Sequence, residues 1–371
     1  MMISILTYFT SFGVSIFLFY LYQNNYMKIK NFRTNFLLLF LCYTPTLIIA
    51  TIRYGIGTDY FTYIEIFNDV SSRFSLSLIF HYYQEPLNII TYYISYIIFK
   101  NEIGMFFLYS LMTLVFISKG IEYYKKEISL SLSIFIYYMV FYHISFNAMR
   151  QMIAISIIFY SFKYILNKDF KRYLLFVIIA FLFHNSALIA ISFYFLCPLK
   201  RKKENSVFHI LFYSIMVLSP VIIPIFMSLI YRIISAFGIY NEYLSMKSNI
   251  NYLFLLYIIP ILFIMILYRN NVLRLNYRFE LFYKLMFIQI PIQIMGNYIR
   301  YIDRLAVYVS ISQIIIIPYI IKNVNNKRDK MALTIGIILW YICYYFIMFI
   351  LMKSNEVYPY QSIFKPLYNN Q

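Results

Sequence analysis

ISLSLSIFIYYMVFYHISFNAMRQMIAISIIFYSFKYIL, residues 128–166, decides the fold class. It holds two apolar runs, 128–145 and 150–166, and its charged residues are Arg150 and Lys163. A bilayer-spanning helix needs roughly 20 apolar residues, and each run comes close to that length. Working outward, similar runs recur at 34–52, 86–99, 102–121, 173–197, 207–230, 251–268, 279–296, 301–321 and 331–352. The first residues, MMISILTYFTSFGVSIFLFYLY, lack a basic leader and a small-residue cleavage site, so they read as a first span and not as a signal peptide. Over 371 residues the chain is 62% hydrophobic and 12% charged, against about 25% charged in a soluble domain. A water-soluble globule is excluded. The expectation is an all-α, polytopic integral membrane protein of about 10–12 transmembrane helices. It reads as a single transmembrane domain over 1–371, with an outward-facing loop at 53–85 and a smaller one at 231–250.

The net charge of +18 would suggest nucleic acid in a soluble protein. In a membrane protein, cytoplasmic loops collect Lys and Arg, and no nucleic acid is expected. Cys42, Cys197 and Cys343 lie within or beside apolar runs and offer neither a disulfide framework nor a metal-binding spacing. With four histidines in the whole chain, no metal cluster and no cofactor are expected. The chain lacks the phosphate-binding loop, HExxH, GxSxG and CxxC motifs, so ATP is not indicated as the energy source.

Basic residues orient the chain. Lys28, Lys30 and Arg33 place the first loop inside, as do the Lys200–Lys203 run, Arg269, Arg274, Arg278, Lys322, Lys327, Arg328 and Lys330. The 53–85 stretch, with Asp59, Glu65, Asp69 and Glu85, then faces outward. Lys125, Lys126, Lys163, Lys168, Lys171 and Arg172 come inside only if 86–99 does not fully cross and 173–197 turns back at His184, Asn185 and Ser186. That arrangement also brings Arg150 to the outer surface.

Polar groups within or beside spans are costly, which makes them functional candidates. Five clusters qualify. Arg53-Tyr54-Gly55-Ile56-Gly57-Thr58-Asp59-Tyr60-Phe61-Thr62-Tyr63 combines an arginine fork with two of only eight glycines. Glycine lets backbone approach a ligand, and arginine suits phosphate; the plainer reading is a tight turn at headgroup level. Glu85-Pro86-Leu87-Asn88 sets a carboxylate before a proline-initiated helix, where the dipole alone would favour it. Asn147, Arg150 and Gln151 gather at a helix start that could present donors to an anion. His184, in Phe183-His184-Asn185-Ser186-Ala187, is a proton acceptor, a phosphate donor, or a histidine that merely satisfies a neighbouring helix. In Asn297–Tyr308, Arg300 and Arg304 are four apart and should share one helix face, with Tyr301 and Tyr308 nearby and Asp303 able to neutralise one arginine.

In order and spacing, these clusters resemble the EpsG family of Wzy-type bacterial polysaccharide polymerases. The matching pieces are Arg53 to Tyr63, Glu85-Pro86, Asn147 to Ala154, Phe183-His184-x-Ser186-Ala187, the Arg300/Arg304 pair and the tail Tyr358-Pro359-Tyr360-Gln361-Ser362-Ile363-Phe364. A departure is Leu87, since the family often has glycine after the glutamate. The resemblance implies a GT-C-like helical fold in the cytoplasmic membrane with an outward-facing site. It also implies a substrate: oligosaccharide repeat units on undecaprenyl diphosphate, joined into O-antigen, capsule or exopolysaccharide. A flippase would deliver the units and a chain-length regulator could accompany the enzyme. The growing glycan would move from its lipid diphosphate to a sugar hydroxyl of the next unit. Catalysis would fall to His184, Asp59 and Arg150, without metal. Diphosphate and glycan would be held by Arg53, Gly55, Gly57, Tyr60, Tyr63, Glu85, Asn147, Gln151, Arg300, Arg304 and Tyr308. Rival readings are another GT-C glycosyltransferase or an O-antigen ligase and, from a different class, a flippase or transporter of lipid-linked oligosaccharide. Asp59 lacks the adjacent acidic partner of many GT-C transferases, and no internal repeat suggests a transporter.

Overall fold

The computed structural model describes residues 2–25, 32–73, 85–198, 207–236 and 253–364. The Lys200–Lys203 run, Lys28 and Lys30, positions 74–84 of the first expected loop and 237–250 of the second lie outside the described residues. The described chain is helical, with a single isolated bridge, Arg53 to Ser362, among those residues. The helices group into two compact units, 1–188 with 324–371, and 189–323.

The first unit begins with α1 (Met2–Asn25) and α2 (Phe32–Thr51), followed by α3 (Tyr60–Arg73), α4 (Pro86–Phe99) and α5 (Glu102–Tyr123). Next come α6 (Leu130–Val140), α7 (Ile144–Asn147), α8 (Met149–Leu166) and α9 (Phe170–Phe183). At the centre, α8 is apolar on every face and buried from Gln151 to Phe159, as an all-round hydrophobic helix must be. It packs between α5 and α9. Tyr22, Asn35 and Lys119 all donate to the buried Glu122 carboxylate, which ties α1, α2 and α5 together. Past the second unit the chain returns as α16 (Lys327–Tyr345) and continues through a π-helical turn, Phe346–Leu351, and a 3-10 turn, Ser354–Glu356, into the tail.

The second unit holds the second half of a 3-10 segment (Asn185–Ser192), then α10 (Phe193–Leu196), α11 (Val207–Ala236) and α12 (Leu253–Leu275). It closes with α13 (Glu280–Gly296), α14 (Ala306–Ser310) and α15 (Gln313–Lys322). Inside it, Lys284 donates to the Leu196 carbonyl at 3.0 Å, and Tyr257 donates to Gln313 at 2.5 Å.

Among the described residues, five helical stretches are long and apolar enough to cross a bilayer: 2–24, 33–51, 102–123, 302–322 and 327–351. Five shorter apolar helices accompany them, including Pro86–Phe99. At about 1.5 Å per residue, α4 reaches roughly 21 Å, short of a 30 Å hydrocarbon core. This is an all-α polytopic membrane architecture. Two local expectations are corrected. The 53–85 stretch is not simply a loop, because it contains α3, whose Tyr60, Tyr63, Phe67 and Val70 are buried at helical spacing. Nor do Arg300 and Arg304 share a helix face. The chain stops at Gly296-Asn297, takes a left-handed conformation at Tyr301 (φ 70°) and resumes as a 3-10 turn, Ile302–Leu305. Asp303 packs against Gly296 so closely that a side chain there would collide with its backbone, and this fold-back breaks the helix.

Candidate active site

Three groups distant in sequence meet in the first unit. Glu85 precedes α4, with Pro86 opening the helix, and its carboxylate makes no cap to the helix N-terminus. It accepts instead from Arg150, near the start of α8, with Nη1 to Oε2 at 2.6 Å. Its other oxygen lies 3.1 Å from His184 Nδ1, a close approach that is not aligned as a straight hydrogen bond. His184 ends α9 in an extended conformation (φ −157°, ψ 123°), the chain break its polar neighbours foreshadow. Asn88 donates both to Glu85 Oε2 (3.1 Å) and to the Phe183 carbonyl (2.7 Å), and accepts from Tyr109 (2.9 Å). One amide thereby locks α4 to the end of α9.

Glu85, Asn88 and Arg150 border a cavity of about 300 Å³ whose other lining residues are Ile66, Ile89, Tyr92 and Asn185, the residue next to His184. Glu85 is 7% exposed, while the Arg150 side chain is 40% exposed and faces the cavity. Burial pushes the Glu85 carboxyl up. The His184 contact, the Arg150 charge and the Asn185 backbone N–H outweigh it and hold Glu85 below the usual carboxylate range. The site is an ionised carboxylate holding a guanidinium on one oxygen and an imidazole on the other. Nδ1 is the imidazole nitrogen that faces the carboxylate.

A second group of expected residues forms the wall beside α8. Asn147 accepts from Thr58 N–H at 2.9 Å, and its carbonyl accepts from Tyr63 at 2.5 Å. Gly57 has φ +102°, and a Cβ there would collide with Asn147 Oδ1. Glycine is required at 57 on both counts; Gly55, also at positive φ, shapes the same turn. Gly57→Ala should lower stability by about 1–3 kcal/mol. Thermal unfolding of the detergent-solubilised variant measures this, and an unchanged midpoint would contradict it.

Arg53 takes a different place from the one its sequence suggests. It is fully buried, with Nη1 on the Ala50 carbonyl (2.6 Å) and Nη2 on Met149 sulfur (3.1 Å). Its guanidinium lies between Phe106 and Phe146, 4.4 and 4.5 Å from their ring centroids. Burial pushes it down to about 10, while surrounding tyrosines pull the other way, so it stays charged at neutral pH. Enclosed like this, Arg53 secures the turn, and no face of it is open to a diphosphate. Tyr60 is stacked on Phe106 and is likewise closed to a sugar. Asp59 accepts from Thr58 Oγ1 at 3.0 Å and lies outside the cavity lining; Gln151 is buried in α8.

In the second unit, Arg300 and Arg304 converge after all, by another route. Both guanidiniums lie over the Tyr301 ring, at 4.6 and 4.5 Å. Tyr308 is buried. Spacing alone did not single out Asn88, Tyr92 or Ile66. The one available signal was that Asn88 follows Glu85 by three residues across a helix-starting proline, which puts the two together.

A sequence model of the EpsG family matches residues 35–362, from α2 to the tail. The chain belongs to the EpsG family. Membership gives it a polysaccharide-polymerase role, a glycosyltransferase-like activity in the membrane. No curated protein and no solved structure matches the chain. The matched span covers both units and every candidate residue named above.

Proposed function

We propose that this EpsG protein polymerises oligosaccharide repeat units carried on undecaprenyl diphosphate at the outer face of the cytoplasmic membrane. The convergence of Arg150 and His184 on the ionised Glu85, beside a cavity, carries this reading. In each turnover the bond between the anomeric carbon of the growing glycan and its lipid diphosphate breaks. A new glycosidic bond forms to a sugar hydroxyl of the next unit, and that hydroxyl's proton passes to His184 Nε2. Negative charge builds on the departing diphosphate, where Arg150 and the N-terminus of α8 stand ready to stabilise it. Glu85 holds both partners in register and keeps His184 in the tautomer that accepts. The leaving group is already activated, so no nucleotide is needed. Guanidinium charge performs the task a metal would, so the mechanism is metal-independent. Arg300 and Arg304, flanking Tyr301, offer a further anion-binding surface for the lipid-linked substrate. A flippase supplies the units and a chain-length regulator acts alongside.

Two experiments test this. Cells lacking the protein should accumulate single repeat units on the lipid carrier, open to an impermeant sugar-modifying reagent from outside. Units protected from that reagent would indicate a flippase instead. For orientation, cysteines introduced at 59–73 should react with an impermeant thiol reagent in intact cells, whereas those at 200–203 should not. Equal labelling would put the proposed site on the wrong side.

A further inference from the structure

The tail beyond α16 returns to the turn that carries Arg53 and is fastened there by several bonds. Tyr54 N–H donates to the Gln361 carbonyl, and Ile363 N–H to the Ile52 carbonyl, each at 3.0 Å. Tyr360 donates to the Ile49 carbonyl at 3.0 Å, Tyr8 donates to the Val357 carbonyl at 3.1 Å, and the Tyr345 and Tyr358 hydroxyls pair at 2.6 Å. None of these involves Asn355. Yet around Asn355 the backbone is forced into the left-handed region, with φ 50° at Lys353, 66° at Asn355 and 48° at Glu356. Residues with side chains avoid that region, and asparagine tolerates it best.

What this conformation achieves is one contact. Asn355 Oδ1 accepts from Asn147 Nδ2 at 3.0 Å. Thr58 N–H can only donate, so the Asn147 oxygen must face the Gly57 turn and its NH2 must face Asn355. The Asn147 amide is thus gripped from both sides. Its backbone carbonyl accepts from the Tyr63 hydroxyl, which in turn accepts from Met149 N–H at 3.2 Å. Met149 opens α8, and the next residue is Arg150.

We propose that Asn355 is a positioning residue of the polymerisation site, acting through Asn147 to set the start of α8 and hence Arg150 against Glu85. This rests on the role of Arg150 given above. The tail stays docked without this one bond, so the effect belongs to the site's geometry and not to folding. A small misplacement of a charge-stabilising group slows the chemical step while leaving ground-state binding largely intact.

The test uses the full chain in liposomes, with repeat units purified as the lipid diphosphate from cells lacking this protein. Asn355→Gly removes the acceptor and accepts φ 66° without strain, which separates the hydrogen bond from the backbone. It should lower kcat about tenfold or more, with KM for the lipid-linked unit and the thermal midpoint unchanged. Asn355→Asp keeps an oxygen in place and should restore most of the turnover. In an Arg150→Lys background, Asn355→Gly should add little, because the two act on one element. Wild-type kcat in Asn355→Gly, or equal proportional losses in both backgrounds, would overturn the proposal. If Arg150→Ala is inactive while Asn355→Gly is unimpaired, only the positioning role fails. If Arg150→Ala turns over like wild type, the assignment of Arg150 fails and takes this inference with it.

Discussion

Arg150→Ala should reduce the rate of polymer growth by about 10²–10³-fold, the usual loss when a preorganised donor to developing charge is removed. Arg150 is the guanidinium in the first unit that is both ion-paired and exposed to the cavity. Its Nη1 donates to Glu85, and Arg150 lines the cavity. Arg150→Lys keeps the charge and loses the fork, so it should recover only part of the rate. Turnover of the purified variants, normalised to folded protein, gives the comparison, and single repeat units should accumulate on the carrier in cells. Wild-type turnover in Arg150→Ala would leave the cavity without a group to stabilise the leaving diphosphate.

The second large effect belongs to Glu85. Glu85→Gln keeps the size and removes the charge, which frees Arg150 from its partner and leaves His184 without its orienting oxygen. Losing the carboxylate of a carboxylate–histidine pair costs on the order of 10²–10⁴-fold in rate. The pH dependence has a definite sign. The folded protein holds Glu85 below the usual carboxylate range, so the group is ionised at neutral pH. Its stabilising contribution is complete above the carboxylate's unfolded value and is lost as pH falls through the depressed folded value. Wild-type protein should therefore keep its Glu85-dependent stability down to mildly acidic pH and lose it below the ordinary carboxylate range. Glu85→Gln should lack that acid-dependent step. His184→Gln, by contrast, should lower kcat with donor binding retained. Stability curves with the same acid step in wild type and Glu85→Gln would show that Glu85 is not ionised by its neighbours.

Much of this was legible in the chain itself. Apolar runs of span length mark nearly every long helix, because in lipid the backbone must satisfy itself and composition alone reports it. Helix α3 escaped because Glu65, Asn68 and Asp69 fill its exposed face, and their polarity hides a buried stripe at Tyr60, Tyr63, Phe67 and Val70. The break at His184 was visible as polar residues within an apolar run. Its consequence, an imidazole delivered to Glu85, was not, since the two are 99 positions apart. Arg53 shows the opposite limit. An arginine beside two glycines looks like a phosphate site, but the rings that enclose it come from Phe106 and Phe146, and nothing local to residue 53 announces them. For Arg300 and Arg304, helical spacing was the wrong premise, and the stop signal at Gly296-Asn297 outweighed it.

The most direct test is the stoichiometry of the reaction itself. The purified full chain, reconstituted in liposomes with lipid-linked repeat units, a metal chelator and no nucleotide, should lengthen the glycan. It should release one undecaprenyl diphosphate for each unit joined. Chain growth that requires a nucleotide or a divalent cation, or units that cross the bilayer without being joined, would contradict the account.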